Sequence, residues 1–154
     1  IMHIKQVWTS DDATCQPDAN LAVVANLMGD RDCGFVPVID ATEKLVGVIT
    51  DRDICIASAT RRKAPEQITA ARAMRGQPIH TCAPDDTIKT ALAKMKEFKV
   101  RRLPVVAADG ALTGIVSMND LVLASRQKEG PAAAEIVSTL AAICAHRPAE
   151  IAAA

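Results

Sequence analysis

Two places in the chain set a carboxylate three residues after a hydroxyl: Thr50-x-x-Asp53 and Ser117-x-x-Asp120. At the start of a helix such a pair is a cap, in which hydroxyl and carboxylate each satisfy a backbone N–H that has no partner within the helix. The same free N–H groups, with the positive end of the helix dipole, also favour a phosphate. Arg52 and Asn119, one residue before each carboxylate, carry donors suited to a phosphate or sugar oxygen. One such segment is ordinary capping. Two of them in matching surroundings point to ligand contact.

Other chemistries find little support. His3, His80 and His146 are scattered, and none sits near a cysteine or carboxylate at metal-ligand spacing. Cys15, Cys33, Cys55, Cys82 and Cys144 are an odd number without CxxC spacing, which suits reduced thiols that serve as small core residues. No glycine-rich phosphate loop, HExxH or nucleophile motif is present, so no enzymatic activity is expected. Eighteen basic and eighteen acidic residues cancel to a formal net charge of zero, which offers no general field for nucleic acid or an anionic membrane. The Arg61-Arg62-Lys63 run has no aromatic neighbours to stack bases and reads as a solvated linker. Without a membrane-spanning apolar run or a secretory signal, the expected location is cytoplasmic.

The two hydroxyl–carboxylate segments belong to a longer internal repeat. Residues 14–54 align with 81–121 without a gap, and about eleven of roughly forty pairs are identical. Each copy opens with a short extended segment, 13–16 or 80–83, that runs into Pro17-Asp18 or Pro84-Asp85, where the Asp is expected to cap a helix. Leu21, Val24, Ala25 and Met28 would form one face of that helix, as would Ile88, Ala91, Leu92 and Met95 in the second copy. Two β-branched runs come next in each copy and predict an antiparallel pair, after which Thr50 and Ser117 cap second helices carrying Ile54, Ile56 and Leu121, Leu123. The expected fold is α+β: two β-α-β-β-α units and a C-terminal helix. Residues 1–63 form the first unit, 64–126 a linker helix opened by Pro65 and the second unit, and 127–154 the helical extension. Ile136, Val137, Leu140, Ile143 and Cys144 give the extension an apolar stripe that must pack on its own module or on a second subunit.

With xPVID…LVGVITDRDI in one copy and RRLPVVAADGALTGIVSMNDL in the other, the chain closely resembles the CBS domain, named for cystathionine β-synthase, over residues 5–125. The resemblance implies two copies packed through their sheets about a pseudo-twofold axis, two equivalent clefts, and frequent pairing into homodimers. It also implies an adenosine-type ligand, AMP foremost, with ADP, ATP, NAD or S-adenosylmethionine as alternatives. Asp53 and Asp120 would accept hydrogen bonds from ribose hydroxyls, and Arg101 and Arg102 stand where relatives place basic phosphate ligands. By the implied symmetry one cleft would combine Val48, Thr50, Arg52 and Asp53 with Ile79, Val100 and Arg101. The other would combine Ile115, Ser117, Asn119 and Asp120 with Thr9, Cys33 and Gly34. Adenine would lie against aliphatic groups and be read by the backbone. A regulatory sensor acting in trans on an effector is the expected role, with a ligand-independent interaction platform as the alternative. Arg101-Arg102 faces Gly34-Phe35 in the alignment, so the two clefts are expected to differ.

Overall fold

A computed structural model describes residues 1–10, 13–76 and 78–145. His146 and the rest of the expected extension lie outside the described residues. In the first copy α1 (Leu21–Asp30) leads into the hairpin of β1 (Phe35–Ile39) and β2 (Leu45–Thr50), followed by α2 (Asp51–Thr60). A 3-10 turn at Pro65–Gln67 and the short α3 (Ala70–Ala73) connect it to the second copy. That copy comprises α4 (Ile88–Phe98), β3 (Arg102–Val106), β4 (Leu112–Ser117) and α5 (Met118–Ala124), and α6 (Ala133–Cys144) comes after it.

The repeat is retained residue for residue in the hairpins. Phe35 pairs with Thr50 and Val38 with Gly47, just as Arg102 pairs with Ser117 and Val105 with Gly114. Each hairpin carries one irregularity before its last pair, and each turn has a residue at positive φ, Glu43 at 63° and Gly110 at 87°. Glycine reaches that region without a Cβ clash. Glu43 is held there while the Asp40 carboxylate accepts the Thr42 and Lys44 N–H groups at 2.8 and 3.1 Å. The expected opening strands are reduced to single parallel bridges, Cys15 with Val38 and Cys82 with Val105.

Several local expectations are corrected. Neither Asp18 nor Asp85 caps a helix: Pro-Asp forms a turn, and the caps fall two residues later at Asn20 and Thr87. Each accepts the N–H of the third helical residue, from Val23 at 3.0 Å and from Thr90 at 3.2 Å. Pro65 opens a three-residue 3-10 turn rather than the expected helix. Ala25 is exposed, because α1 buries only Leu21, Val24 and Met28. Ile56 and Leu123 point outward, half or more exposed, whereas Ile54 and Leu121 pack inward. Cys15 and Cys82 are buried, but Cys55 and Cys144 are exposed and serve no core.

The copies are tied together by exchange. Met2 and Ile4 bury in the core of the second copy, while Ile68 and Ala70 bury in that of the first. Thr9 pairs with Ile115 on β4, and Arg75 pairs with Val48 on β2. The hairpin tips meet reciprocally: Leu45 N–H donates to Gly110 O and Leu112 N–H to Glu43 O, at 3.3 and 3.2 Å. These reciprocal bonds are the pseudo-twofold. Gly47 and Gly114 occupy equivalent positions where the other copy's lead-in crosses, against Met74 in one case and Trp8 and Thr9 in the other.

α6 packs on its own module. Ile136 is buried in the second core, with Leu140 and Ile143 against it, and Thr139 completes the covered face. Val137 and Cys144, which the expected apolar stripe includes, face away. A helix of 3.6 residues per turn aligns positions 136, 139, 140 and 143 and leaves 137 and 144 on the flanks.

Candidate functional site

Thr50 and Ser117 cap α2 and α5 with reciprocal capping boxes. Asp53 Oδ2 accepts from Thr50 N–H and Oγ1 at 3.0 and 2.7 Å, and Asp120 Oδ2 from Ser117 N–H and Oγ at 2.7 and 2.6 Å. Each carboxylate thus commits one oxygen to its own cap and leaves the other facing the lead-in of the opposite copy. Arg75 Nε donates to Asp53 Oδ1 at 3.1 Å; Thr9 Oγ1 donates to Asp120 Oδ1 at 3.3 Å. The partner is a cation on one side and a hydroxyl on the other.

A cavity of about 600 Å³ opens between the copies beside α2. Val48, Thr50 and Arg52 line it from the first copy, and Ile79, Val100, Arg101 and Arg102 from the second. Asp53 does not line it but stands behind, bonded to the lining residues Thr50 and Arg75. Sequence reasoning passed over Phe35, Arg75, Gly76, Pro78, His80, Phe98, Lys99, Pro104 and Ile143, which complete the wall. His80 and Phe98 stack with ring centroids 3.5 Å apart and planes within 7°. Phe98 ends α4 and His80 lies in the lead-in, so no local pattern brings them together. Lys99 sits in the left-handed region at φ 53° and donates to Ala145 O at 3.2 Å, while Ile143 of α6 reaches the cavity edge.

The wall holds five cationic side chains, Arg52, Arg75, Lys99, Arg101 and Arg102, and, among the described residues, no carboxylate. Among the described residues, Arg75 alone of these has a carboxylate partner. The cavity therefore carries positive charge in a partly enclosed space, where an anion gains more than in open water.

The residues assigned to the other cleft are joined less completely. Thr9 exchanges backbone bonds with Ile115 at 3.0 and 3.1 Å and reaches Asp120, which is bonded to Ser117. Asn119 lies exposed in the first turn of α5. Cys33 and Gly34 bond within their own copy, Cys33 N–H to Met28 O and Asp51 N–H to Gly34 O. The Asp51 carboxylate lies over Gly34, so close that an added Cβ would come within 2.7 Å of Oδ2. At the equivalent place the second copy puts Arg101, whose carbonyl accepts from Met118 N–H at 2.9 Å.

The thiols are outside this chemistry. Burial pushes both Cys15 and Cys82 up to about 11, which keeps them protonated and poorly nucleophilic near neutrality. Among the described residues no cluster of His, Cys, Asp or Glu could hold a metal ion, and no helix is long and apolar enough to cross a membrane.

Two repeats that exchange lead-ins and enclose a cavity define a tandem α+β module. The family model of the CBS domain matches the chain twice, at residues 4–60 and 70–127, and the chain belongs to the CBS domain family. Among curated relatives, an uncharacterised protein of Methanopyrus kandleri is 30% identical over 119 residues, covering 77% of this chain and 60% of that protein. Inosine-5'-monophosphate dehydrogenase of Mycobacterium leprae is 32% identical over 127 residues, covering 79% of this chain and 23% of the enzyme. The chain thus spans under two thirds of the first relative and under a quarter of the second. A conserved CBS domain protein of Thermoplasma acidophilum superposes with a TM-score of 0.76 at 25% identity, covering 92% of this chain and 75% of that one. Two further structures share the fold. The CBS domain pair of protein MJ0100, in complex with 5'-methylthioadenosine and S-adenosyl-L-methionine, has a TM-score of 0.71 at 23% identity, covering 82% of this chain and 99% of that one. CBSX2 in complex with AMP has a TM-score of 0.71 at 24% identity, covering 82% and 98%.

Proposed function

We propose that the chain is a regulatory module that binds an adenosine-type nucleotide in the cavity between its two copies and acts on an effector protein in trans. The observation that carries this reading is the cavity itself, about 600 Å³, with a helix N-terminus, aliphatic side chains and several arginines converging on it. Adenine would lie between Val48, Ile79 and Val100. Asp53 would accept from the ribose, and Thr50, Arg52, Arg101 and Arg102 would surround the phosphate at the start of α2. The second set, Ile115, Ser117, Asn119 and Asp120 with Thr9, Cys33 and Gly34, would hold a ligand more weakly, because the Asp51 carboxylate stands where the first cleft has Arg101. Bound nucleotide would reach the surface through Ile143, which links the cavity wall to α6.

Thermal denaturation of ligand-stripped protein with AMP, ADP, ATP, NAD and S-adenosylmethionine tests this. The expected result is a dose-dependent rise in Tm with at least one of them, because a ligand that binds only the folded state stabilises it. No rise with any compound overturns the reading.

A homodimer is supported separately by Ile56 and Leu123, equivalent positions on α2 and α5 that are 50% and 63% exposed, with Val122 beside the latter. Light scattering on Leu123→Asp is expected to show monomer where the native chain shows dimer. The alternative role, an oligomerisation platform whose clefts stay empty, would keep that dimer while showing no ligand shift.

A further inference from the structure

Resting on the nucleotide reading above, we infer that Arg75 sets the ligand class of the first cleft, selecting nucleotides with an extended phosphate chain over nucleosides that carry none. The base of this residue is fixed: Arg75 N–H donates to Val48 O at 2.9 Å and Val48 N–H to Arg75 O at 3.2 Å. Its head is not fixed in the same way, since the side chain is 59% exposed while its partner Asp53 is only 10% exposed. Asp53 Oδ2 already accepts two bonds from Thr50, so Oδ1 is the oxygen left for a ribose, and Arg75 Nε holds it at 3.1 Å. Asp53 is only 10% exposed and does not line the cavity, whereas Arg75 does, so a ribose that approaches Oδ1 from the cavity meets the guanidinium first and must move it aside.

The cost of that displacement depends on the rest of the ligand. Released from Asp53 in a cavity whose wall also holds Arg52, Lys99, Arg101 and Arg102, the guanidinium meets only like charge unless the ligand brings an anion. A phosphate chain supplies one, and a guanidinium pairs with it through two parallel N–H donors. A nucleoside without phosphate leaves the cation unpaired. Arg75 therefore exchanges Asp53 for phosphate when a nucleotide binds and resists a bare nucleoside. The other copy has no such device, because Thr9 stands at the corresponding pairing position and offers Asp120 a hydroxyl.

Isothermal titration with ATP, AMP and adenosine, in native protein, Arg75→Gln and Arg75→Lys, tests the inference. The measurements use an Asp120→Ala background, which is expected to weaken binding in the second cleft. The native cleft is expected to bind ATP more tightly than AMP and AMP more tightly than adenosine. Arg75→Gln is expected to weaken ATP about tenfold and to tighten adenosine by a few-fold, reversing the direction of effect between ligands. Arg75→Lys, which keeps the charge, is expected to retain most of the ATP preference. Equal weakening of all three ligands by Arg75→Gln, or an unchanged ratio of ATP to adenosine affinity, overturns the role of Arg75 while leaving nucleotide binding intact. Failure of every ligand to bind both native protein and Arg75→Gln overturns the nucleotide reading as well.

Discussion

The two capping carboxylates, Asp53 and Asp120, stand in equivalent settings where the copies meet, and they differ in what reaches them. Thr50 and Asp53 on one side match Ser117 and Asp120 on the other, down to the reciprocal capping bonds. Yet Asp53 meets Arg75 and Asp120 meets Thr9, and Arg101 in one setting answers to Gly34 under Asp51 in the other. The difference lies in the segments that cross between copies rather than in the repeated framework. Capping and hairpin register are needed by each copy in order to fold, so they are held in common. The crossing positions are partly exposed, and charge can change there without disturbing a core.

Substitutions at matched positions test how far the equivalence of the halves extends. The largest effects should be symmetric. Leu21→Ala and its counterpart Ile88→Ala each remove a buried side chain from one core, and each is expected to cost about 2–5 kcal/mol in urea denaturation. Both variants should unfold in a single transition, because Met2 and Ile4 bury in one core and Ile68 and Ala70 in the other; two separate transitions would show that the exchange couples the halves weakly. Next, Gly130→Ala should act on one half only. Its Cβ would overlap the carbonyl of Ala124 at the end of α5, and the strain of about 1–3 kcal/mol should displace α6, whose Ile143 borders the first cleft. The stability loss should be accompanied by weaker nucleotide binding in the first cleft and by no change in the second.

Smaller still are the caps. Thr50→Ala and Ser117→Ala should each cost about 1 kcal/mol, equal within error if the boxes are equivalent. A larger loss at Thr50 would show that its box also holds the Asp53–Arg75 pair in place. The thiols provide the last measure. Cys15 and Cys82 have folded values near 11 against an ordinary 9.0, so their neutral forms favour the folded state. That stability is complete below about pH 9 and is lost as pH rises toward 11. Alkylation near neutral pH should modify Cys55 and Cys144 first and leave the buried pair until unfolding.

Much of the architecture was legible in the sequence. The repeat, the hairpins, both hydroxyl–carboxylate caps and the inward methionines come from local spacing, because strand pairing in a hairpin and helix capping join residues close along the chain. Locally, the caps lie two residues further on, at Asn20 and Thr87 rather than Asp18 and Asp85, and Pro65 opens a 3-10 turn rather than a helix. Turn chemistry competes with capping wherever Pro-Asp precedes another capping residue. The exposed Cys55 and Cys144 obey a similar logic, since composition says nothing of which helix face turns outward.

The CBS repeat was legible in the sequence, which also marked Asp53 and Asp120 as candidates, since both readings rest on identity of type and spacing between two aligned segments. It took the folded chain to put Arg75 on Asp53, to stack His80 on Phe98, and to bring Ile143 of α6 to the border of the cavity. The bond from Arg75 to Asp53 spans 22 positions and that from Thr9 to Asp120 spans 111. Such separations carry no periodicity, and these residues meet because two copies exchange their lead-ins and bury them in each other's cores.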